Sequence, residues 1–473
     1  MTESAPSRRP APLERVALAF TAWAERWIPD AFIFALIGTM VVVVAAIATR
    51  SAPPLDIVQI WGKGFWGLIP FTMQMALVVI LGYVLATSPP VHRLIRALAS
   101  VPKTSRAAVA CVALLALLTS WLNWGFSLMF SAMLAKAIAR RMRDVDYRAL
   151  AAASFLGLGS IWAQGLSGSA ALQMATPSML PERIRAIVAG GGKIEGGIIH
   201  LADTIFRQSL LCVLIEILVV TIVVYLAAPR GAHVRNAEAM GIDLGVDAAT
   251  PIARSGKPGE WLEHSPLLSL LFAALAMIYL ARYFAGAPSV LNAVNLDTIN
   301  LVFLALGVLL HWTPARLMRA VRDATPAVWG IVLQFPLYAG MAAIIAETHL
   351  NERIAHAFVR ISTPLTFPPL VAAYSALLGM FVPSGGSKWV IEAPYVMQAA
   401  HDHHVHLGWM VAVYDLGEAL ANLVQPFWML PILGLFSLRA RDVMGFTFLV
   451  FVVLAPIVLV LVTLLGATLR YPL

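Results

Sequence analysis

At 473 residues and a net charge of +8, length and charge alone would allow several soluble domains or a basic nucleic-acid binder. Composition excludes both, because hydrophobic residues make up 60% and charged residues only 12%, where a soluble domain has about 25% charged. Mean hydropathy is +0.81, and the apolar runs recur at about 20 residues, the length a helix needs to cross a ~30 Å hydrocarbon core. The chain is an all-α polytopic membrane protein.

The N-terminal stretch carries Arg8, Arg9, Arg15 and Arg26. The first apolar run, Ala31 to Ala48, is long enough to span, so it reads as a retained helix and not a cleaved leader. Candidate spans then follow at 30–49, 65–88, 147–166, 206–228, 266–285, 292–312, 326–348, 408–430 and 443–467. Two further apolar stretches, 107–138 and 367–400, are interrupted at Asn123-Trp124-Gly125 and at Pro383-Ser384-Gly385-Gly386-Ser387. Each half is too short to span comfortably. Both stretches therefore predict re-entrant hairpins whose tips are buried in protein or line a cavity; two full spans joined by a tight turn are the alternative. Cys111 and Cys212 lie within apolar segments and predict neither a disulfide nor a metal site.

Basic residues test this layout. Arg93, Arg96, Lys103 and Arg106 precede the first hairpin, while Lys136, Arg140, Arg141, Arg143 and Arg148 follow it. Arg230, Arg235, Arg254 and Lys257 lie in the loop 229–264, Arg316, Arg319 and Arg322 follow one span, and Arg439 and Arg441 precede the last. All fall on one face, which the positive-inside rule makes cytoplasmic. The amino terminus is then cytoplasmic and the carboxyl terminus periplasmic. Their placement in short loops between spans also argues against a nucleic-acid surface.

A weak internal repeat is visible. Trp66-Gly67-Leu68-Ile69 resembles Trp329-Gly330-Ile331-Val332, and the pairs Asn123/Pro383 and Gln164/Gln425 keep nearly the same offset. An odd number of crossings separates the first span from its counterpart, so the halves are inverted, as in many secondary transporters. Residues 1–228 form the first repeat, 229–264 a cytosolic linker, and 265–473 an extra span plus the second repeat.

The chemistry is expected at the breaks. New half-helices begin after Gly125 and after Ser387, and their free N–H groups and positive dipole ends suit a carboxylate. Asn123, Ser384 and Ser387 add neutral hydrogen-bonding groups. Lys388 either adds a full charge or snorkels to the outer interface. The third span unwinds at Gly165-Leu166-Ser167-Gly168-Ser169, with Ala175-Thr176-Pro177 beyond, and its counterpart at Gln425-Pro426. Asp415, Glu418, Asn422 and Gln425 share one helix face. A carboxylate at membrane depth marks a pathway by default: Glu418 is the candidate proton or cation partner, and Asp415, nearer the helix start, is the candidate interfacial acid. His401, His403, His404 and His406 fall in an external loop and read as solvated, and Gly190-Gly191-Gly192-Lys193 lacks the Ser or Thr of a phosphate loop. No cofactor is expected beyond a coupling Na+ or H+.

Together, Trp27-Ile28-Pro29-Asp30, Trp61-Gly-x-Gly-Phe-Trp66, Met73-Gln-Met-Ala-Leu77, Asn123-Trp-Gly-Phe126, Ser167-Gly-Ser169, Ala175-Thr-Pro177, Pro383-Ser-Gly-Gly386, Gly417-Glu418 and Gln425-Pro-Phe-Trp428 closely resemble the bacterial short-chain fatty acid transporter family. The resemblance covers nearly the whole chain. That family is similar to the wider ion-transporter superfamily, which implies homodimers, an elevator-like motion and substrate sites at hairpin tips. Lys388, Glu392 and Gln164 depart from its pattern, which leaves a substrate other than the family's namesake open. The expected function is secondary transport of small organic anions of the acetoacetate and butyrate class across the inner membrane, coupled to a proton or sodium gradient. Dicarboxylate, amino-acid or drug carriers of the same superfamily are the rivals. A channel has no need of two broken hairpins, and an enzyme would need a nucleophile–base set or metal cluster that the spans lack. Site residues are expected among Asn123, Trp124, Gly125, Ser167, Gly168, Ser169, Thr176, Pro383, Ser384, Gly385, Gly386, Ser387, Lys388, Glu418, Asn422 and Gln425.

Overall fold

The computed structural model describes residues 31–67, 69–175, 182–245, 256–287, 296–348, 350, 360–380 and 385–473, together with Pro12, Arg15, Ala19 and Arg26. Regular structure among them is entirely helical. Helix α1 (Ala31–Ala48) holds 18 residues without a charge. An 11-residue helix, α2 (Pro54–Gly64), follows and starts on a proline, whose fixed φ and missing N–H suit a first turn. Helix α3 (Ile69–Thr87) is apolar, and α4 (Pro89–Ala99) again starts on proline.

The first hairpin is α5 (Ser105–Leu122) and α6 (Trp124–Arg141), packed against each other and separated by Asn123 alone. Asn123 ends one helix and caps the next: its backbone is extended (φ −158°, ψ 121°), and its Oδ1 accepts from the Phe126 N–H at 2.9 Å. Such a cap contributes about 1 kcal/mol. Both arms have 18 residues, ~27 Å at 1.5 Å per residue, so they are longer than the apolar window suggests. The helix runs on into the basic residues Lys136, Arg140 and Arg141. Neither arm of this hairpin is short.

Helix α7 (Tyr147–Leu156) is capped by Asp146, which accepts from the Ala149 N–H at 3.0 Å and pairs with the buried Arg148 at 2.9 Å. It runs into a π-turn at Gly157–Ile161 and a 3₁₀ turn at Trp162–Gln164. The chain unwinds at residues 165–168 and resumes as α8 (Ser169–Ala175). The Leu166 N–H donates to the Trp121 carbonyl at 2.8 Å, so the hairpin tip is level with this break, part-way along a 29-residue path. Helix α9 (Gln208–Ala227) crosses next. Part of the following loop is pinned to the basic face: the Tyr147 N–H donates to the Arg235 carbonyl at 2.9 Å, and Arg140 Nη2 to the Leu244 carbonyl at 2.7 Å.

Helices α10 (Leu267–Ala285) and α11 (Leu296–His311) come next, followed by α12 (Pro314–Ala324) and α13 (Trp329–Glu347). The second hairpin pairs the 13-residue α14 (Phe367–Gly379) with α15 (Gly385–Asp402). Pro383 and Ser384 lie outside the described residues, as does Thr176. Helix α16 (Leu407–Asn422) is buried along its whole length and bends by 69° into the stretch holding α17 (Leu430–Phe436). Helix α18 (Ala440–Gly466) closes the fold. Each predicted span holds a helix, though the α-helix of 147–166 ends at Leu156 and that of 408–430 at Asn422. By length and apolar content five described stretches can cross a membrane, or seven if two bent pairs each count once. Helices α2, α4 and α12 were not expected.

The two hairpins use one packing device. Arm α5 lies on α7 and its π-turn, and arm α14 lies on α16. A Cβ on Gly157 would overlap the Ala116 carbonyl, and one on Gly417 the Ala372 carbonyl. Glycine at these positions brings the helices to backbone contact, as small residues do in membrane interiors.

Just before α16, His406 Nδ1 accepts from the Trp409 N–H at 3.0 Å, and its Nε2 lies 3.2 Å from Arg207 Nη1. Burial first, and Arg207 second, lower its pKa from 6.5 to about 4. The folded state thus binds fewer protons than the unfolded chain between those values. The stability this group contributes is complete above its unfolded pKa and is lost as pH falls toward about 4. The Tm of the purified protein should drop across that window. His406→Asn, which keeps a capping acceptor and removes the titration, should drop less; equal losses would clear His406 of the effect.

Candidate functional site

Helix α16 brings polar groups into the middle of an apolar bundle. Its residues Asp415, Glu418 and Asn422 are each 1% exposed or less. The first turn of α15 delivers Lys388, 2% exposed. The Lys388 ammonium forms an ion pair with Glu418 and donates to the Ser375 carbonyl at 2.7 Å and to Ser375 Oγ at 3.1 Å. It lies 4.8 Å from the centroid of the Tyr414 ring. A lysine held this way points into the protein, which settles the choice against snorkelling. Glu392, one turn along α15, is 1% exposed, and neither of its carboxyl oxygens has a hydrogen-bond partner among the described residues. Asp415 is equally buried and so is not an interfacial acid. It faces the backbone of Ala170 and Ala171 at the start of α8 without closing a well-formed hydrogen bond.

The break in the first half meets this cluster. Ser167 Oγ accepts from the Trp124 N–H at 3.2 Å, tying the break to the first hairpin tip. Helix α8 reaches the start of α15, where Gln173 Nε2 donates to the Gly386 carbonyl at 3.0 Å. Gly385 is enclosed: a Cβ there would sit 3.1 Å from Ser169 Oγ, 3.1 Å from the Trp162 ring and 3.2 Å from Glu418 Cγ. Its carbonyl accepts from Tyr414 Oη at 2.7 Å. Around this point Trp162 Nε1, Ser169 Oγ and Gln173 Oε1 are buried without partners among the described residues. Unpaired polar atoms in a protein interior are uncommon, and so many at one place mark where a polar ligand would be satisfied.

Gln425 and Asn422 serve the other break. Asn422 Nδ2 donates to the Leu158 carbonyl in the π-turn at 3.1 Å, Gln425 Nε2 donates to Asn422 Oδ1 at 2.8 Å, and the Phe427 N–H donates to Gln425 Oε1 at 2.7 Å. Trp124 and Trp428 pack edge to face, with centroids 5.3 Å apart. The expected residues thus fall into two connected places. Ser169, Gly385, Gly386, Lys388 and Glu418 gather around the unpaired atoms. Asn123, Trp124, Ser167, Asn422 and Gln425 brace the two unwound segments, with Gly125 against Val78 and Gly168 against Ala163. The side chain of Ser387 is outside the described residues. The sequence reading missed Trp162, Gln173, Ser375 and Tyr414 as site residues. Of these, Gln173 alone left a sign, standing four residues after Ser169 and so on the same helix face. The histidines expected in a solvated loop are not all solvated, since His401 and His406 are buried, and they have separate partners: His401 the Tyr471 hydroxyl, His403 Ser362, His406 Arg207. Among the described residues no three His, Cys, Asp or Glu side chains form a metal-sized group.

Bent apolar helices enclosing a buried charged cluster define a multi-pass membrane transporter. The sequence model of the family described as short chain fatty acid transporter matches residues 12–465, and the chain belongs to that family. Two relatives provisionally named short-chain fatty acid transporters bear this out. The one from Escherichia coli K12 is 35% identical over 433 residues, covering 91% of this chain and 95% of its own. The one from Haemophilus influenzae Rd is 34% identical over 456 residues, covering 95% and 99%. Among solved structures, the YdaH transporter of Alcanivorax borkumensis and MtrF of Neisseria gonorrhoeae each align at 14% identity with a TM-score of 0.44. They cover 93% and 96% of this chain, and the alignment takes in 98% of each. The protein is therefore a multi-pass inner-membrane transporter, not an enzyme.

Replacing Gln425 with leucine leaves the Phe427 N–H and Asn422 Oδ1 buried without partners. Each such loss costs about 1–3 kcal/mol. Gln425→Leu should lower the thermal stability of the detergent-purified protein measurably, and Gln425→Glu, which keeps the acceptor for Phe427, should lower it less. Unchanged melting in Gln425→Leu would show that the break does not depend on this bridge.

Proposed function

We propose that the chain carries short-chain fatty acids or similar small carboxylates, of the acetoacetate and butyrate class, across the inner membrane as a secondary transporter driven by a proton or sodium gradient. The observation that carries this reading is Lys388, buried against Glu418 beside the unpaired polar atoms of Trp162, Ser169 and Gln173. Family membership supports the substrate class. The substrate carboxylate is placed between Lys388, Ser169, Gln173 and the Gly385–Gly386 backbone, with its short alkyl chain toward Trp162. Nothing in this arrangement favours a dicarboxylate, amino-acid or drug carrier.

The same reading makes the two halves inverted repeats with re-entrant hairpins. Its support is the level of the Asn123 tip beside the 165–168 break and the matched roles of Gly157 and Gly417. It places the basic loops inside. Arg140, Arg143, Asn236 and Leu244 cluster together, whereas Lys193, His401, His404 and Tyr471 cluster elsewhere, in agreement with opposite faces. The homodimer rests on the family resemblance.

Counterflow into proteoliposomes holding the purified protein should accumulate labelled butyrate and acetoacetate in preference to dicarboxylates and amino acids. No counterflow of either acid would end this reading. Lys388→Gln should raise the apparent dissociation constant for butyrate roughly tenfold or more, since a charge-assisted hydrogen bond is worth about 1.5–3 kcal/mol and 1.4 kcal/mol is a factor of ten. In intact cells, a cysteine at Arg96 should be protected from an impermeant thiol reagent and one at His404 should label. Labelling of both from outside would remove the inverted topology.

A further inference from the structure

The Lys388 ammonium has three N–H donors and three acceptors already in place: the Ser375 carbonyl, Ser375 Oγ and the Glu418 carboxylate. The Ser375 carbonyl is backbone in α14, and Ser375 Oγ is itself held by donating to the Tyr414 carbonyl at 2.9 Å. Glu418 alone of the three has a side-chain carboxylate with no other hydrogen bond to hold it in place among the described residues. An incoming carboxylate can therefore take a charge-assisted hydrogen bond from Lys388 only by displacing Glu418. Among the described residues the displaced glutamate has no other cation to turn to. Glu392 faces the pair from α15, Asp415 and Tyr414 from α16, and Tyr374 from α14, while α8 offers only the neutral Ser169 and Gln173. A carboxylate buried beside two more acids, without a counter-ion, is too costly to keep charged and is neutralised instead.

We infer that substrate and proton enter by exchange on one ion pair: the substrate monocarboxylate replaces Glu418 on Lys388 as Glu418 takes up one proton. The inference rests on the carboxylate-transport reading above and adds its coupling. Before the step the site holds Lys388 as a cation and Glu418 as an anion. After it, the site holds Lys388 as a cation, the substrate as the anion and Glu418 as a neutral acid. One proton is bound per substrate, the displaced Lys388–Glu418 pair is replaced by a Lys388–substrate pair, and the net charge of the site is the same empty or loaded. Either form can then be carried through the membrane without moving charge, and the empty carrier can return. A dicarboxylate would bring a second negative charge with no partner, so the exchange selects monoanions.

The test uses purified full-length protein in proteoliposomes containing a trapped pH dye, with butyrate as probe. An inward proton gradient should drive butyrate uptake in sodium-free buffer with one proton per butyrate and no electrogenic current. Butyrate binding by the wild type in detergent should tighten about tenfold per pH unit from about pH 8 to about pH 6, as one linked proton requires. Glu418→Gln cannot take up the proton: its butyrate affinity should not vary with pH, and gradient-driven accumulation should be lost. Sodium-dependent butyrate uptake without proton entry, or a Glu418→Gln variant that still accumulates butyrate on a proton gradient, would overturn this inference and leave the carboxylate reading standing. Should Glu418→Gln fail to fold, the wild type's binding decides: butyrate affinity that does not vary with pH overturns the exchange. Absence of butyrate and acetoacetate movement altogether would remove the transport reading and this inference with it.

Discussion

Backbone broken inside a membrane must find its hydrogen bonds within the protein, because lipid offers none. That constraint orders everything around the site. At the first break the Leu166 N–H uses the Trp121 carbonyl and the Trp124 N–H uses Ser167 Oγ. At the second, the Phe427 N–H uses Gln425 Oε1, and Asn422 reaches across to the π-turn carbonyl of Leu158. Each break is satisfied mostly within its own half, with Asn422 crossing to the first half and Gln173 crossing to the Gly386 carbonyl of the second. The two irregular segments are joined into one polar structure.

The charges in that space follow a related logic. A buried ion pair is weak evidence for stability, yet removing one member is costly, on the order of 3–5 kcal/mol, because the other is left uncompensated. Lys388 and Glu418 are each 2% exposed or less, and Glu392 and Asp415 add acids that no described cation neutralises. A bundle built only to be stable would replace such a cluster with leucine. A bundle that must accept an anion from outside needs a cation whose resident partner can be displaced, and the proposed exchange assigns that part to this pair.

How much of this the sequence discloses differs from residue to residue. The runs at 31–48, 208–227 and 440–466 announce their helices because a lipid-facing surface demands uninterrupted apolar character. Asn123, Gly165–Gly168 and Gln425–Pro426 are legible as breaks because Asn, Gly and Pro oppose helix for local reasons. Helices α2, α4 and α12 escape the same reading: each is an 11-residue amphipathic segment, too short and too charged for a hydropathy window, and their Arg and Lys residues mimic a loop. The hairpin arm lengths mislead for a related reason, since α6 continues past its apolar stretch into Lys136, Arg140 and Arg141. Whether Lys388 snorkels or turns inward depends on Ser375 and Glu418, which are 13 and 30 residues away along the chain; spacing along its own helix says nothing about either. Trp162 and Gln173 belong to the site only because α15 docks onto them.

Gly157 and Gly417 connect the packing to the chemistry. Each allows a hairpin arm to rest directly on the backbone of a broken span, one helical turn or less from the elements that carry the site: Gly157 opens the π-turn whose Leu158 carbonyl holds Asn422, and Gly417 immediately precedes Glu418. Contacts made by backbone cannot adjust through a rotamer, so the hairpin arm and the broken span are held in fixed register. Rigidity there concentrates the available movement in side chains. Of the groups around Lys388, Ser375 is locked to the Tyr414 carbonyl and Tyr414 to the Gly385 carbonyl, while the Glu418 carboxylate is held by the ammonium alone. Glu418 is thus the one partner of Lys388 without a further tie of its own, and under the proposed exchange it is this acid, not the packed frame around it, that would set the coupling.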